Sequence, residues 1–355
     1  MMDQNDNKLS LSNIYASIIQ QTSSMIKPWP DSDGFAKCCL DSSALSAAAE
    51  ENTNATTTSS SKNSFQVPTF PEGTGPLGVF ALTRENTHPG NEKLVQTCLD
   101  AFDQFCEELN AIATTLQHNN NSNNDDDDEN NHKGDDDELF FWVKSLVPHI
   151  TIAIFQEHPQ LLPKMTQEEL DEFYFFTNDD GDKLAQSLAK QTFRYSPIQL
   201  TLDSLILTPD GAMIAGFVDD DDNNNDDDDG GVGNNYYDKL KTDIVTDAKQ
   251  VMGMGEFTSR PKNLIHITCG RVVRKQGAAL ELSNTSTQAD IQKLVERYNK
   301  QVFPQLVADM KGNDNGGTLL LEQLTLLRND VWLCEKNTVY GVGKLQGPDD
   351  SKSVS

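Results

Sequence analysis

The sequence predicts an α+β fold built from two related lobes that face each other. Three observations carry that prediction. Short stretches rich in β-branched and aromatic residues alternate with longer ones whose apolar positions recur every three or four residues. Residues 78 to 218 read as strand, helix, strand, helix and hairpin, and residues 236 to 345 as helix, strand, helix and strand pair. Each half also contains one strand with the same frame, an apolar residue followed by His-Ile-Thr, at His149 and at His266.

The elements follow in order. Residues 1–70 are polar and rich in Ser, Thr and Asn, with one short amphipathic helix near 11–26, and they carry no pattern of a core. We expect most of this segment to be disordered and its removal to leave activity intact. Gly78–Thr83 is the first strand. Residues 91–117 form a helix, because Leu94, Cys98, Phe102, Phe105 and Leu109 repeat at helical spacing. An Asn/Asp-rich insert at 118–138 has no periodicity and reads as a solvated loop. Residues 140–155 give one or two strands, broken near Pro148. Residues 166–192 are helical, interrupted at the NDDGD segment 178–182. Residues 196–218 form a hairpin whose turn is Thr208-Pro209-Asp210-Gly211. A second acidic insert at 219–235 reads as another surface loop. Then come a helix at 236–253, a strand at 263–273, and a helix at 287–310 bent near Pro304. Residues 317–328 and 337–345 close the chain as a strand pair, and 347–355 is a loose tail. The organised domain is thus expected over 71–346.

Composition narrows the function. The 355 residues suffice for one large or two modest domains, and a hydrophobic content of 36% supports a core. The formal charge is −27, much of it in acidic runs at 125–129, 135–138, 219–222 and 226–229. That balance argues against tight, non-specific binding to long nucleic acid, which depends on many Lys and Arg on phosphates. A small phosphorylated substrate in a locally positive pocket remains allowed. The cysteines Cys38, Cys39, Cys98, Cys106, Cys269 and Cys334 form no C-x-x-C pair and no zinc or disulfide spacing. They read as reduced thiols. The first residues lack the basic and apolar regions of a signal peptide, and no apolar run is long enough to span a bilayer. A cytoplasmic or nuclear monomer is expected.

The chemistry lies in the repeated frame. Side chains alternate across a strand, so His149 and Thr151 share one face, as do His266 and Thr268. Ile150 and Ile267 then point into the core. Two such strands facing across a cleft would gather two imidazoles and two hydroxyls around one small anion. In-line displacement at phosphorus needs a base on the attacking oxygen and an acid on the leaving oxygen. Imidazole suits both tasks, because its unperturbed pKa is about 6.5. The hydroxyls can donate to the non-bridging oxygens, and the set requires neither metal nor cofactor. The chain holds six histidines, and two of them occupy this frame.

Paired His-x-Thr strands of this kind resemble the 2H phosphoesterase superfamily, which includes the LigT-like 2′,3′-cyclic phosphodiesterases, historically called 2′-5′ RNA ligases. The resemblance covers roughly residues 77–346. His266-Ile-Thr268-Cys-Gly-Arg271 is similar to the family's second motif, which often carries Arg five residues after its His. The resemblance implies a bilobal fold with antiparallel sheets lining a central cleft. It implies His149 and His266 as general acid and base, and Thr151, Thr268 and Arg271 as phosphate ligands. The implied reaction is hydrolysis of a 2′,3′-cyclic phosphate on a nucleotide or short RNA end. An ADP-ribose cyclic phosphate, a 2′-5′ oligonucleotide, an RNA 3′ end, or binding of a nucleotide without turnover stay open. Strand alternation alone places Arg271 on the face opposite His266. Arg260, Lys262 and Arg274 are further cationic candidates, and Tyr340 on the closing strand is expected to pack.

Overall fold

Leu94, Cys98, Phe102, Phe105 and Leu109 are all buried along one side of a single long helix, as their spacing requires. The computed structural model describes residues 11–24, 73, 75–121, 140–157, 166–219, 236–252, 264–274, 285–312, 317–329 and 337–347. The elements are α1 (Leu11–Ser24), β1 (Leu77–Leu82), α2 (Pro89–Asn121), β2 (Phe140–Lys144), β3 (His149–Gln156), α3 (Gln167–Tyr174), α4 (Asn178–Thr192), β4 (Ile198–Leu207), β5 (Ala212–Asp219), α5 (Tyr236–Met252), β6 (Ile265–Arg274), α6 (Thr285–Arg297), α7 (Phe303–Lys311), β7 (Thr318–Leu321), β8 (Gln323–Asn329) and β9 (Asn337–Lys344). A π-helical turn, Tyr298–Val302, joins α6 to α7.

Among the described residues all strands join one nine-stranded sheet in the order β7-β4-β5-β6-β3-β1-β8-β9, with β2 beside β6. Every pairing is antiparallel. Side chains from α2, α4, α5, α6 and α7 make the main core with one face of this sheet. The two marked strands, β3 and β6, are direct neighbours at its centre, joined through the pair Ile150–Ile267. They therefore lie side by side in one sheet instead of facing each other across a cleft. The sequence halves are also not the spatial halves. The hairpin β4–β5 of the first half pairs with β6 of the second, and the closing pair β8–β9 docks on β1 of the first. Pairing partners so distant in sequence are selected by free strand edges, which local patterning does not encode.

Residues 317–328 are two strands, not one. β7 pairs with β4 at one sheet edge, while β8 lies between β1 and β9 near the other. The chain changes direction at Glu322 because two buried asparagines satisfy its backbone there. Asn86 Oδ1 accepts from the amides of Glu322 (2.7 Å) and Gln323 (2.9 Å). Asn91 holds both the amide and the carbonyl of Leu320, at 2.8 and 2.7 Å.

The helix break within 166–192 falls at Phe175–Thr177. The NDDGD segment instead starts α4, where Thr177 and Asp180 form a capping box and Asp179 and Asp180 favour the first turn. The bend predicted near Pro304 is the π-helical turn, and the proline sits in the first turn of α7, where its missing amide costs little. Asn299 in that turn holds the backbone of Leu207 through both its amide nitrogen and oxygen. The first acidic insert begins later than expected, since α2 runs to Asn121; the remainder, 122–139, lies outside the described residues. Asp219 is likewise no solvated loop residue. It is buried at the end of β5, and its Oδ2 accepts from the Tyr237 amide at 3.0 Å, at the N-terminus of α5. Residues 220–235 lie outside the described set.

The amphipathic helix near 11–26 is present as α1, but the expectation that the first 70 residues supply no core fails for it. Tyr15 is 1% exposed and packs with Ile206, Ala212 and Ile214, flanked by Leu11, Ile18 and Ile19. Removing residues 1–24 should therefore lower the melting temperature. Tyr15→Ala alone should cost about 3 kcal/mol, because it deletes a fully buried aromatic ring. Thermal denaturation followed by circular dichroism checks this; an unchanged midpoint in both variants would contradict it.

Candidate active site

The pair Ile150–Ile267 sets the register of both motifs. Both isoleucines are buried and point into the main core. In an antiparallel pair this places His149 level with Thr268, and Thr151 level with His266. All four side chains then stand on the opposite face, and all four residues are partly exposed. The outer neighbours extend the array into two rows. Gly216 is the partner of His266, and Phe80 of Thr151. Ile214 is the partner of Thr268, and Leu82 of His149. Directly opposed side chains have Cβ atoms roughly 4.5–5.5 Å apart and diagonal ones about 7–8 Å. The two histidines occupy one diagonal of the square and the two threonines the other.

His149 is held tightly. Its Nδ1 lies 2.9 Å from the Val147 carbonyl, to which it donates, so a neutral ring offers Nε2 as the proton acceptor. The Pro148 carbonyl, one bond upstream, accepts from both the amide (3.0 Å) and the hydroxyl (2.9 Å) of Thr83. The Phe80 ring meets the imidazole edge-on, with centroids 5.4 Å apart and planes at 79°. For His266, Nδ1 is buried while the residue as a whole is partly exposed.

Arg271 differs from the expectation. The β5–β6 ladder shifts register between Ile214, paired with Thr268, and Met213, paired with Gly270. Cys269 is thus an extra residue, a bulge that reverses the alternation beyond it. Gly270 faces the core, since a Cβ there would collide with the Phe102 ring. Arg271, paired with Ala212, returns to the face of His266 and Thr268. Strand rise puts it about 10 Å beyond Thr268. There its Nη1 sits 2.9 Å from Asp210 Oδ2 and donates to the Asp210 carbonyl at 3.2 Å. The turn that places Asp210 depends on Gly211, whose φ of 82° suits glycine and whose N–H donates to the Thr208 carbonyl at 3.0 Å. Burial works to raise the Asp210 carboxyl, but the Arg271 charge and hydrogen bonds from Thr208 and Arg271 outweigh it and hold it below the usual range. In this arrangement Arg271 is engaged with Asp210, apart from the four-residue array.

The other candidates fall elsewhere. Tyr340 packs on Phe176, with ring centroids 5.0 Å apart, and against Gly181. The Arg274 backbone pairs with Phe140 at the far end of β6. Arg260 and Lys262 lie outside the described residues. Sequence reading missed Phe80, Asp210 and Tyr15. Phe80 and Tyr15 carry no motif and reach the site only through strand pairing and helix docking. Asp210 was legible as a turn residue but not as a partner of Arg271.

Among the described residues no helix is long and apolar enough to cross a membrane, and no three His, Cys, Asp or Glu side chains gather as metal ligands would. No family model matches the chain, and no curated protein matches it. Among solved structures, the chain is similar to Usb1 of Kluyveromyces marxianus, with a TM-score of 0.31 and 9% identity over 76% of this chain and 100% of that one. It is similar also to Kluyveromyces marxianus Usb1 with uridine monophosphate, with a TM-score of 0.32 and 9% identity over 76% of this chain and 99% of that one.

Proposed function

We propose that residues 71–346, completed by helix α1, form a 2H-type phosphodiesterase that hydrolyses a 2′,3′-cyclic phosphate on a nucleotide or short RNA end. The observation that supports this reading is the pairing of Ile150 with Ile267, because it sets two imidazoles and two hydroxyls on one face with the histidines on a diagonal. Imidazoles rooted about 7–8 Å apart can lean inward to opposite sides of one phosphorus, which in-line displacement demands. One His accepts a proton from water as the water oxygen bonds to phosphorus. The other donates its proton to the departing ribose oxygen as that P–O bond breaks. Each imidazole ends in the protonation state from which the other began. The Thr151 and Thr268 hydroxyls donate to the non-bridging oxygens, where charge accumulates. Arg271, released from Asp210, would supply a cation to the same phosphate. The chemistry asks for no cofactor, and the substrate class fits a compartment where RNA ends are made, the cytoplasm or nucleus.

The test is hydrolysis of the four nucleoside 2′,3′-cyclic phosphates in EDTA, followed by phosphorus NMR. Turnover that survives the chelator is expected, and the product shift identifies the ester bond broken. A folded protein that opens none of these rings and trims no RNA 3′ end would reject the reading.

A further inference from the structure

Helix α1 lies on the same face of the sheet as the histidines, next to one of them. Gly216 is the cross-strand partner of His266, so any side chain at 216 would stand beside the imidazole. That space is occupied by Tyr15: a Cβ built on Gly216 would approach the Tyr15 ring to 2.6 Å. The ring of Tyr15 therefore takes the place of a side chain that residue 216 lacks. Its hydroxyl reaches into the ladder one residue before His266. It accepts from the Phe217 amide at 3.2 Å and donates to the Ile265 carbonyl at 2.6 Å, with the Phe217 carbonyl as a second acceptor 3.1 Å away. Phe217 and Ile265 are themselves paired across β5 and β6. The helix is fixed at its start by Ser12, which donates to Asp203 Oδ1 at 2.7 Å on β4. Burial holds the Tyr15 phenol above its ordinary range, so it remains a donor across the physiological span.

We infer that Tyr15 is a positioning residue for His266, and that α1 is a wall of the active site that closes it on the β4–β5 side. The hydroxyl pins the backbone from which His266 springs, and the ring limits where its imidazole can turn. Substrate is thereby kept from the β4–β5 side of the array. This inference rests on the proposed two-histidine reaction for its kinetic reading, but not for its spectroscopic one.

The experiment compares the full chain with Tyr15→Phe and Gly216→Ala, the second displacing the ring without altering the tyrosine. Imidazole titrations by NMR, assigned through the single His149 and His266 variants, are recorded beside kcat and KM on a nucleoside 2′,3′-cyclic phosphate. Both variants should shift the His266 titration and leave that of His149 in place. Both should lower kcat roughly ten- to a hundredfold while KM stays within about twofold, as expected for a displaced catalytic group. Folded variants with unchanged titrations of both histidines would overturn the inference. If the wild type hydrolyses no cyclic phosphate while the His266 titration shifts as expected, the positioning role stands and the substrate reading fails.

Discussion

His149→Ala and His266→Ala should each lower kcat on the cyclic phosphate by roughly a thousandfold, within the range expected for general acid–base catalysis. Each residue is partly exposed on the open face, so truncation leaves no core cavity and the melting temperature should hardly move. The double variant should fall little further than either single one, because the two imidazoles act on the same proton balance. The wild-type kcat/KM should follow a bell against pH. The limb at low pH reports the base, which must be neutral, and the limb at high pH reports the acid, which must be protonated. Loss of activity in only one of the two variants would leave a single general base and end the symmetric scheme. Steady-state kinetics across pH, with circular dichroism as the control for folding, decides this.

Asn86→Ala should destabilise the fold by about 3 kcal/mol or more, far beyond an ordinary surface change. Asn86 is 0% exposed and spends its whole amide on the backbone. Its nitrogen donates to the carbonyls of Leu82 (2.8 Å) and Gln323 (3.1 Å), and its oxygen accepts from the amides of Glu322 and Gln323. Alanine would strand several of these groups in a space that water reaches poorly, and each unmade bond there costs about 1–3 kcal/mol. Because Leu82 is the partner of His149, the loss should also loosen that histidine's strand and reduce kcat. Urea denaturation measures the first effect; a midpoint within error of wild type would contradict the role assigned to Asn86.

The contrast between these two predictions marks what local pattern reveals. The histidines were visible because one frame occurs twice in the chain, and because alternation along a strand is a property of the strand alone. The helical face of α2 and the turn at Thr208–Gly211 were visible for the same reason. Asn86 and Asn91 were not, since an asparagine in a turn or at a helix start looks the same whether it faces water or closes a bend 237 or 229 residues away. Arg271 shows a subtler limit. Alternation put it on the wrong face, and only the bulge at Cys269, which arises from mismatch between β5 and β6, brings it back. Tyr15 was hidden by composition: one short amphipathic helix in a polar segment gives no signal that distinguishes a docked helix from a free one.

The sequence by itself determined the class of fold, most of the elements, and the identity of the four residues that share the central face. Periodicity in the chain dictates these things, because which side a residue faces follows from its immediate neighbours. The tertiary structure decided that the two marked strands are adjacent in one sheet, that hairpins are exchanged between the sequence halves, that Arg271 rests on Asp210, and that α1 flanks His266. Each depends on which strand edge or apolar face finds which partner. That choice is made by burial and hydrogen-bond satisfaction across the whole molecule, and no window of the sequence contains it.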